Sequence, residues 1–272
     1  MRRKRPPPRG FALLVVLWTV ALLALLGTHV TATARQAASL SLRLRDAAAA
    51  GAAADGLVAE AIFRLLDPSP RRWVADGTRR MVRLEGGVAE IRLQDHAGRV
   101  NPAYATPQLL AALLRHEGVR DPRATALGTA IVDWAGSGDA DASGKSKAAR
   151  YRAAGKMYGP PNDAFLTPDE LGLVLGMTPD VVERLAPHLS VWTGRRVDLG
   201  RADPVVARAL QDIGAGSTGL LQEPPDGSAP PLVVEILAQA QWREARAMRR
   251  VVVRIDPADK DAPRPWRILA WD

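Results

Sequence analysis

RGFALLVVLWTVALLALLGTHVTATARQAASLSLRLRDAAAAGAAADGLVAEAIFRLL, residues 9–66, is the stretch that decides the architecture of this chain. From Phe11 to Leu26 it holds 16 residues with no charge and one hydroxyl, at the short edge of what spans a bilayer. Thr28, Val30, Thr31 and Ala32 extend it, with His29 near the interface. Beyond that the pattern does not become a loop. Leu40, Leu44, Ala47, Gly51, Ala54, Val58, Ile62 and Leu65 recur at spacings of three or four, which marks one face of a helix. No proline interrupts Phe11 to Leu66, so a single helix is expected across both parts, roughly 80 Å long.

Ahead of this helix stand Arg2, Arg3, Lys4, Arg5 and Arg9, five of the charges behind a formal net charge of +8. Setting them aside leaves +3 over the rest of the chain, an ordinary balance. The basic character is therefore a cytoplasmic flank obeying the positive-inside rule, and it argues against a nucleic-acid partner. Hydrophobic residues make up 47% of the 272, enough for a packed core. With no cysteine, disulfides, thiol nucleophiles and cysteine zinc sites are excluded.

Three fates are open to the N-terminus. It can remain whole as a signal anchor. It can be a secretory signal cut after Ala32-Thr33-Ala34, a small-x-small site. Or it can be a prepilin-type leader cut between Gly10 and Phe11, leaving the apolar helix on the mature protein. A helical pattern that continues past the apolar stretch favours the third, since a secretory signal has no use for it.

Asp67-Pro68-Ser69-Pro70 ends the helix. Met81 to Leu84 and Val88 to Leu93 alternate around Gly86-Gly87 and are expected to form a hairpin. Helices are expected over Pro107 to Glu117, Pro122 to Trp134, Pro168 to Leu175 and Pro179 to Leu189, several opening with proline. LVVEILAQAQ from Leu232, RAMRRVVVRID from Arg246 and PWRILAWD from Pro265 are expected strands, after a Gly- and Pro-rich loop. The expected fold class is α+β: a long N-terminal transmembrane helix and an antiparallel sheet domain carrying an inserted all-helical domain. The corresponding boundaries are 1–10 for the leader and 11–66 for the helix, with 11–32 transmembrane. The sheet domain takes 67–104 and 195–272, and the insert 105–194.

These stretches carry a resemblance. RGFALLVVLWTVALLALL, DHAGRVN (Asp95 to Asn101), AIVDW (Ala130 to Trp134) and YGPPNDAFLTPDELGLVLGMTPDVVERLAPHLSVW (Tyr158 to Trp192) resemble, in order, minor pseudopilin K of bacterial type II secretion systems. The resemblance implies a pilin-like fold with a helical insertion and cleavage between Gly10 and Phe11 by a prepilin peptidase. It further implies an inner-membrane, single-pass location with the bulk of the chain in the periplasm. Its partners would be other minor pseudopilins, that peptidase and inner-membrane lipid. Related pilins carry glutamate as the fifth residue after the cut; here it is Val15, as in the K type. The implied function is non-enzymatic: a subunit at the tip of the pseudopilus that supports export of folded proteins across the outer membrane. The other class of function is a periplasmic binding module or enzyme on an uncleaved signal anchor, and no catalytic constellation supports it.

Few motifs carry chemistry. Asp139-Ala140-Asp141-Ala142-Ser143-Gly144 places oxygen side chains at alternate positions before a glycine, the first half of an EF-hand-like loop. Asp139, Asp141 and Ser143 are thus the candidate metal ligands, for calcium, which the family binds in this part of the insertion. Arg150 stands where a closing glutamate would be needed, so a solvated loop competes with a metal site. Gly214, Gly216 and Gly219 fit G-x-G-x-x-G but lack a preceding strand. His29, His96, His116 and His188 have no ligand spacing and are expected at the surface or at helix ends. Asp133, in an apolar helix, is expected to be a cap or a buried partner.

Overall fold

A single helix, α1 (Arg9–Leu66), runs unbroken for 58 residues, the length that the uninterrupted pattern predicts. The structure, a computed structural model, describes residues 9–138, 140, 144, 146–214, 231–256 and 263–272, with the backbone alone at 9, 10, 12 and 30–34. Among the described residues no helix is long and apolar enough to cross a membrane. The apolar stripe divides into two parts. Leu40 and Leu44 are exposed, whereas Ala50, Ala54, Leu57, Val58, Ala61, Ile62 and Leu65 are buried. Past Leu66 the Asp67 carboxylate accepts from Ser69 N at 2.8 Å, and Trp73 N donates back to Arg64 O at 3.1 Å. That turn ends the helix where proline would leave its ladder unfilled.

Strands β1 (Asp76–Leu84), β2 (Gly87–Asp95), β3 (Leu232–Trp242), β4 (Ala245–Ile255) and β5 (Trp266–Trp271) form one antiparallel sheet in the order β1-β2-β3-β4-β5. The first hairpin is longer than alternation alone indicates. Polar Asp76 to Arg80 suit an edge strand, and Arg92 Nε donates to Gly77 O at 2.8 Å there. In the last pair Val251 faces Trp271 and Ile255 faces Trp266, with a bulge between Val252 and Val253.

Between β2 and β3 come α2 (Pro107–His116), α3 (Arg123–Ala135), α4 (Lys147–Ala153), α5 (Pro179–Leu185) and α6 (Pro204–Asp212). Thr106 caps α2 by accepting from Leu109 N, and Asp203 caps α6 by accepting from Val205 N and Val206 N. The expected helix at Pro168 is a 3-10 segment, Pro168–Leu173, and the one at Pro179 is cut short at Leu185 before a 3-10 turn, Ala186–His188. Pro187 has no N–H to continue the α ladder. Helix α4 was not expected: it spans seven residues, too few for a period to show.

The chain divides into two compact units. The first comprises Met1–Leu57, Met81–Glu90 and Ala238–Met248. Here Asp46 pairs with Arg243 at 3.3 Å, and Gly87 lies so close to Gln241 O that a Cβ would stand 2.2 Å from it. Ala238 and Ala240 are buried while Gln239 and Gln241 are exposed, the alternation of a one-sided strand. The second unit comprises Val58–Arg80, Ile91–Leu237 and Arg249–Asp272. Its largest core runs from Val100 to Leu210 and includes Leu109, Leu113, Ile131, Trp134, Leu171, Leu185, Val206 and Leu210. In this unit Val233, Val234, Glu235 and Ile236 are buried consecutively, so both faces of β3 are covered there.

Candidate functional site: a buried ionic cluster and an uncovered helix

Asp95-His96-Ala97-Gly98-Arg99 turns sharply off the end of β2. The Asp95 carboxylate accepts from Ala97 N at 2.7 Å, Arg99 N donates to His96 O at 2.9 Å, and His96 N donates to Val233 O at 2.9 Å. Gly98 permits the turn to approach Arg201, since any Cβ would lie 2.2 Å from Arg201 O. Val100 pairs as an isolated bridge with Leu189, and Ser190 N donates to Val100 O at 2.9 Å. These backbone contacts bring His96, Arg99 and Ser190 to Glu235 on β3.

Glu235 is the hub. Its Oε2 accepts from Arg99 Nη2 at 2.8 Å and from His96 Nε2 at 3.2 Å, and its Oε1 accepts from Arg250 Nε of β4 at 2.5 Å. Ser190 Oγ lies 3.0 Å from His96 Nδ1, and the Trp192 ring is 5.8 Å from the imidazole. An ionised carboxylate only accepts, so Nε2 carries the proton and Nδ1 accepts from the Ser190 hydroxyl. Burial works to raise the Glu235 pKa. The His96 hydrogen bond and the charges of Arg99, His96 and Arg250 overcome it and hold the carboxyl far below its usual range. Burial likewise lowers the His96 pKa; the Glu235 hydrogen bond opposes this, while the Arg99 and Arg250 charges add to it. The imidazole is therefore neutral at neutral pH, and Arg99 Nε is buried without a partner. The chain of Ser190, His96 and Glu235 is buried throughout. The cluster fixes the end of β2, strands β3 and β4 and the segment after α5 to one another.

Two further histidines sit at helix ends, as expected. His188 Nδ1 meets Asp203 at 2.7 Å and its Nε2 meets Glu117 at 3.1 Å, joining the end of α2 to the cap of α6. His116 meets Asp212 at 2.9 Å. His96 departs from the expectation: it is fully buried, because a carboxylate and a hydroxyl satisfy both ring nitrogens. Asp133 is a half-buried partner, 3.1 Å from Arg150 Nη1.

Gly10 lies one residue inside α1, and Phe11 after it is 69% exposed. The exposure continues through Leu13, Leu17, Trp18, Leu23 and Leu26, so the described side chains of the apolar stretch have no cover among the described residues. Asp139, Asp141 and Ser143, like Gly216 and Gly219, lie outside the described residues. Among the described residues no group of three His, Asp or Glu side chains is placed to hold a metal ion. Glu235, the hub, went unremarked in the sequence, although a lone acid inside LVVEILAQAQ, where a strand is otherwise apolar, is a signal that a buried cation awaits it.

Residues 91–194 match the family model of the type II secretion system, protein K. Over that segment the chain resembles the protein K family of type II secretion systems. A solved structure with a similar fold belongs to the GspK-GspI-GspJ complex of enterotoxigenic Escherichia coli type 2 secretion. The match has a TM-score of 0.59 at 14% identity and covers 88% of this chain and 98% of that one. No curated protein matches. His96, Arg99, His188 and Ser190 fall inside the family-matched segment, whereas Glu235 and Arg250 lie beyond it. The ionic cluster thus ties the matched segment to the strands that follow.

Proposed function

We propose that this chain is a minor pseudopilin of the protein K type, processed between Gly10 and Phe11, which keeps α1 as its inner-membrane anchor and assembles at the tip of a periplasmic pseudopilus with other minor pseudopilins. The observation that carries this reading is a long helix whose leading apolar side chains have no cover among the described residues. Sixteen uncharged residues followed by Gly27 to Ala32 give a helical rise of about 33 Å, against roughly 30 Å of hydrocarbon. Lipid covers such a helix before assembly and neighbouring pilin helices cover it afterwards. The partners are drawn from the similar chain, whose solved complex contains two other pseudopilins. The role is structural, in support of folded-protein export across the outer membrane, with the prepilin peptidase as the processing partner. The domain reading of 67–104 with 195–272 around an insert at 105–194 belongs to the same proposal. It is supported by the helical elements falling between β2 and β3.

Mass spectrometry of the mature N-terminus tests the reading. A chain beginning at Phe11 is expected; one beginning at Arg35 or Met1 would replace it with a secretory signal or an intact anchor. Gly10→Leu should block processing, because a peptidase at the membrane face needs a small residue before the cut. The calcium candidates Asp139, Asp141 and Ser143 are tested separately. Calcium should raise the melting temperature, by linkage worth about 2.7 kcal/mol at a hundredfold excess over its Kd, and Asp139→Ala with Asp141→Ala should abolish the gain.

A further inference from the structure

Lys147, the first residue of α4, is 4% exposed, the one lysine among the described residues to be so buried. Its ammonium donates to Gly136 O at 2.7 Å and to Asn162 Oδ1 at 3.2 Å. Among the described residues no carboxylate stands within ion-pair distance of it. Asp133, one turn back on α3, is engaged by Arg150 instead. A buried ammonium facing neutral oxygens is unusual, because such a charge is normally paired. Two features make it tolerable. Gly136 closes α3, its N–H donating to Val132 O at 2.8 Å, so its carbonyl stands at the negative end of a 13-residue helix. A Cβ built on Gly136 would lie 3.6 Å from Nζ, which places the ammonium against the bare face of that residue. Asn162 adopts φ 58°, a left-handed conformation that asparagine tolerates and that most side chains do not.

We propose that these two oxygens form a cation site and that the Lys147 ammonium is its resident occupant, a covalently attached hydrogen-bond-donating cation. It joins the end of α3, the start of α4 and Asn162. The site differs from the Asp139 and Asp141 candidates, since neither of its oxygens belongs to a carboxylate. It selects a monovalent ammonium: two neutral accepting oxygens at hydrogen-bond distance are too few for a divalent ion that takes six or more oxygens.

Thermal unfolding of the detergent-solubilised full chain tests this. Lys147→Ala should lower the melting temperature by about 5 °C or more. Propylammonium at millimolar concentration should restore part of that loss, whereas sodium or tetramethylammonium at equal ionic strength should not. Restoration by calcium in place of the amine, or none by any cation, would overturn the assignment. If the alanine variant does not fold, Asn162→Asp in the otherwise unchanged chain decides. A carboxylate facing a resident cation should raise the melting temperature, and a fall would sink the proposal. Paired with Lys147→Met, the same Asn162→Asp change should be destabilising, because the acid then faces no cation.

Discussion

Glu235 accepts from three cationic or imidazole groups in a buried setting, so its loss strands charges that have nowhere else to go. Glu235→Gln should cost about 3–5 kcal/mol, read by urea denaturation, since Arg99 and Arg250 would lose their countercharge. The same residues set an acid limit. Folding holds His96 below its ordinary value of 6.5, so as pH falls through that value the unfolded chain takes up a proton that the folded chain refuses. Stability should decline from there. Glu235, depressed from 4.5, adds a second loss as pH falls below that value, and both contributions are fully present at neutral pH. His96→Gln should flatten the upper part of the decline in a pH series of melting temperatures. A stability curve unchanged between pH 7 and pH 5 would count against the neutral, buried imidazole. At Val15, 45% exposed on the apolar stretch, Val15→Leu should leave secretion intact. Val15→Glu should weaken assembly, because an unpaired carboxylate in hydrocarbon costs several kcal/mol.

Helices α2 and α3 meet at Gly128, where a Cβ would stand 2.5 Å from Pro107 O and 2.9 Å from Ala111 N. Backbone, unlike a flexible side-chain end, cannot yield to such an overlap. Gly128→Ala should therefore force the pair apart and cost about 1–3 kcal/mol, seen as a lower denaturation midpoint with helical content retained below it. Gly118, after α2, has open space around its Cβ position but a φ of +82°, so Gly118→Ala acts through backbone strain instead. The elements with strong local signals were legible in advance. Thr106 before Pro107 announces α2, and Gly86-Gly87 announces the first hairpin. Asp203 before Pro204 is the same kind of announcement for α6. The helical reading from Pro168 gave way to a 3-10 turn in which Glu170 Oε1 accepts from Leu166 N and Thr167 N. Side chain has replaced helical backbone as the local partner there, which periodicity does not register.

As a whole, the chain carries a helix whose apolar start is exposed and a helical core between β2 and β3. A subunit of this kind at a filament tip should be present in far fewer copies than the main pseudopilin. Quantitative mass spectrometry of sheared pseudopili checks this, and it should co-purify with other minor pseudopilins as a small complex. Regular spacing of the subunit along a filament shaft would rule out the tip position.

The sequence by itself determined the continuous helix, the strand and helix order and the α+β class. Each depends on contacts a few residues apart: an unbroken three-and-four spacing, prolines at helix starts, alternation beside glycine turns. It also limited the chemistry, by lacking cysteine and by gathering its excess charge ahead of the helix. Only the tertiary structure decided that His96, Arg99, Ser190, Glu235 and Arg250 share one buried cluster, since up to 154 positions separate its members. It alone revealed that Lys147, an ordinary surface residue by composition, is buried on the end of another helix. A charge is read as solvated until something shows which oxygens surround it, and those oxygens come from segments that local spacing does not connect.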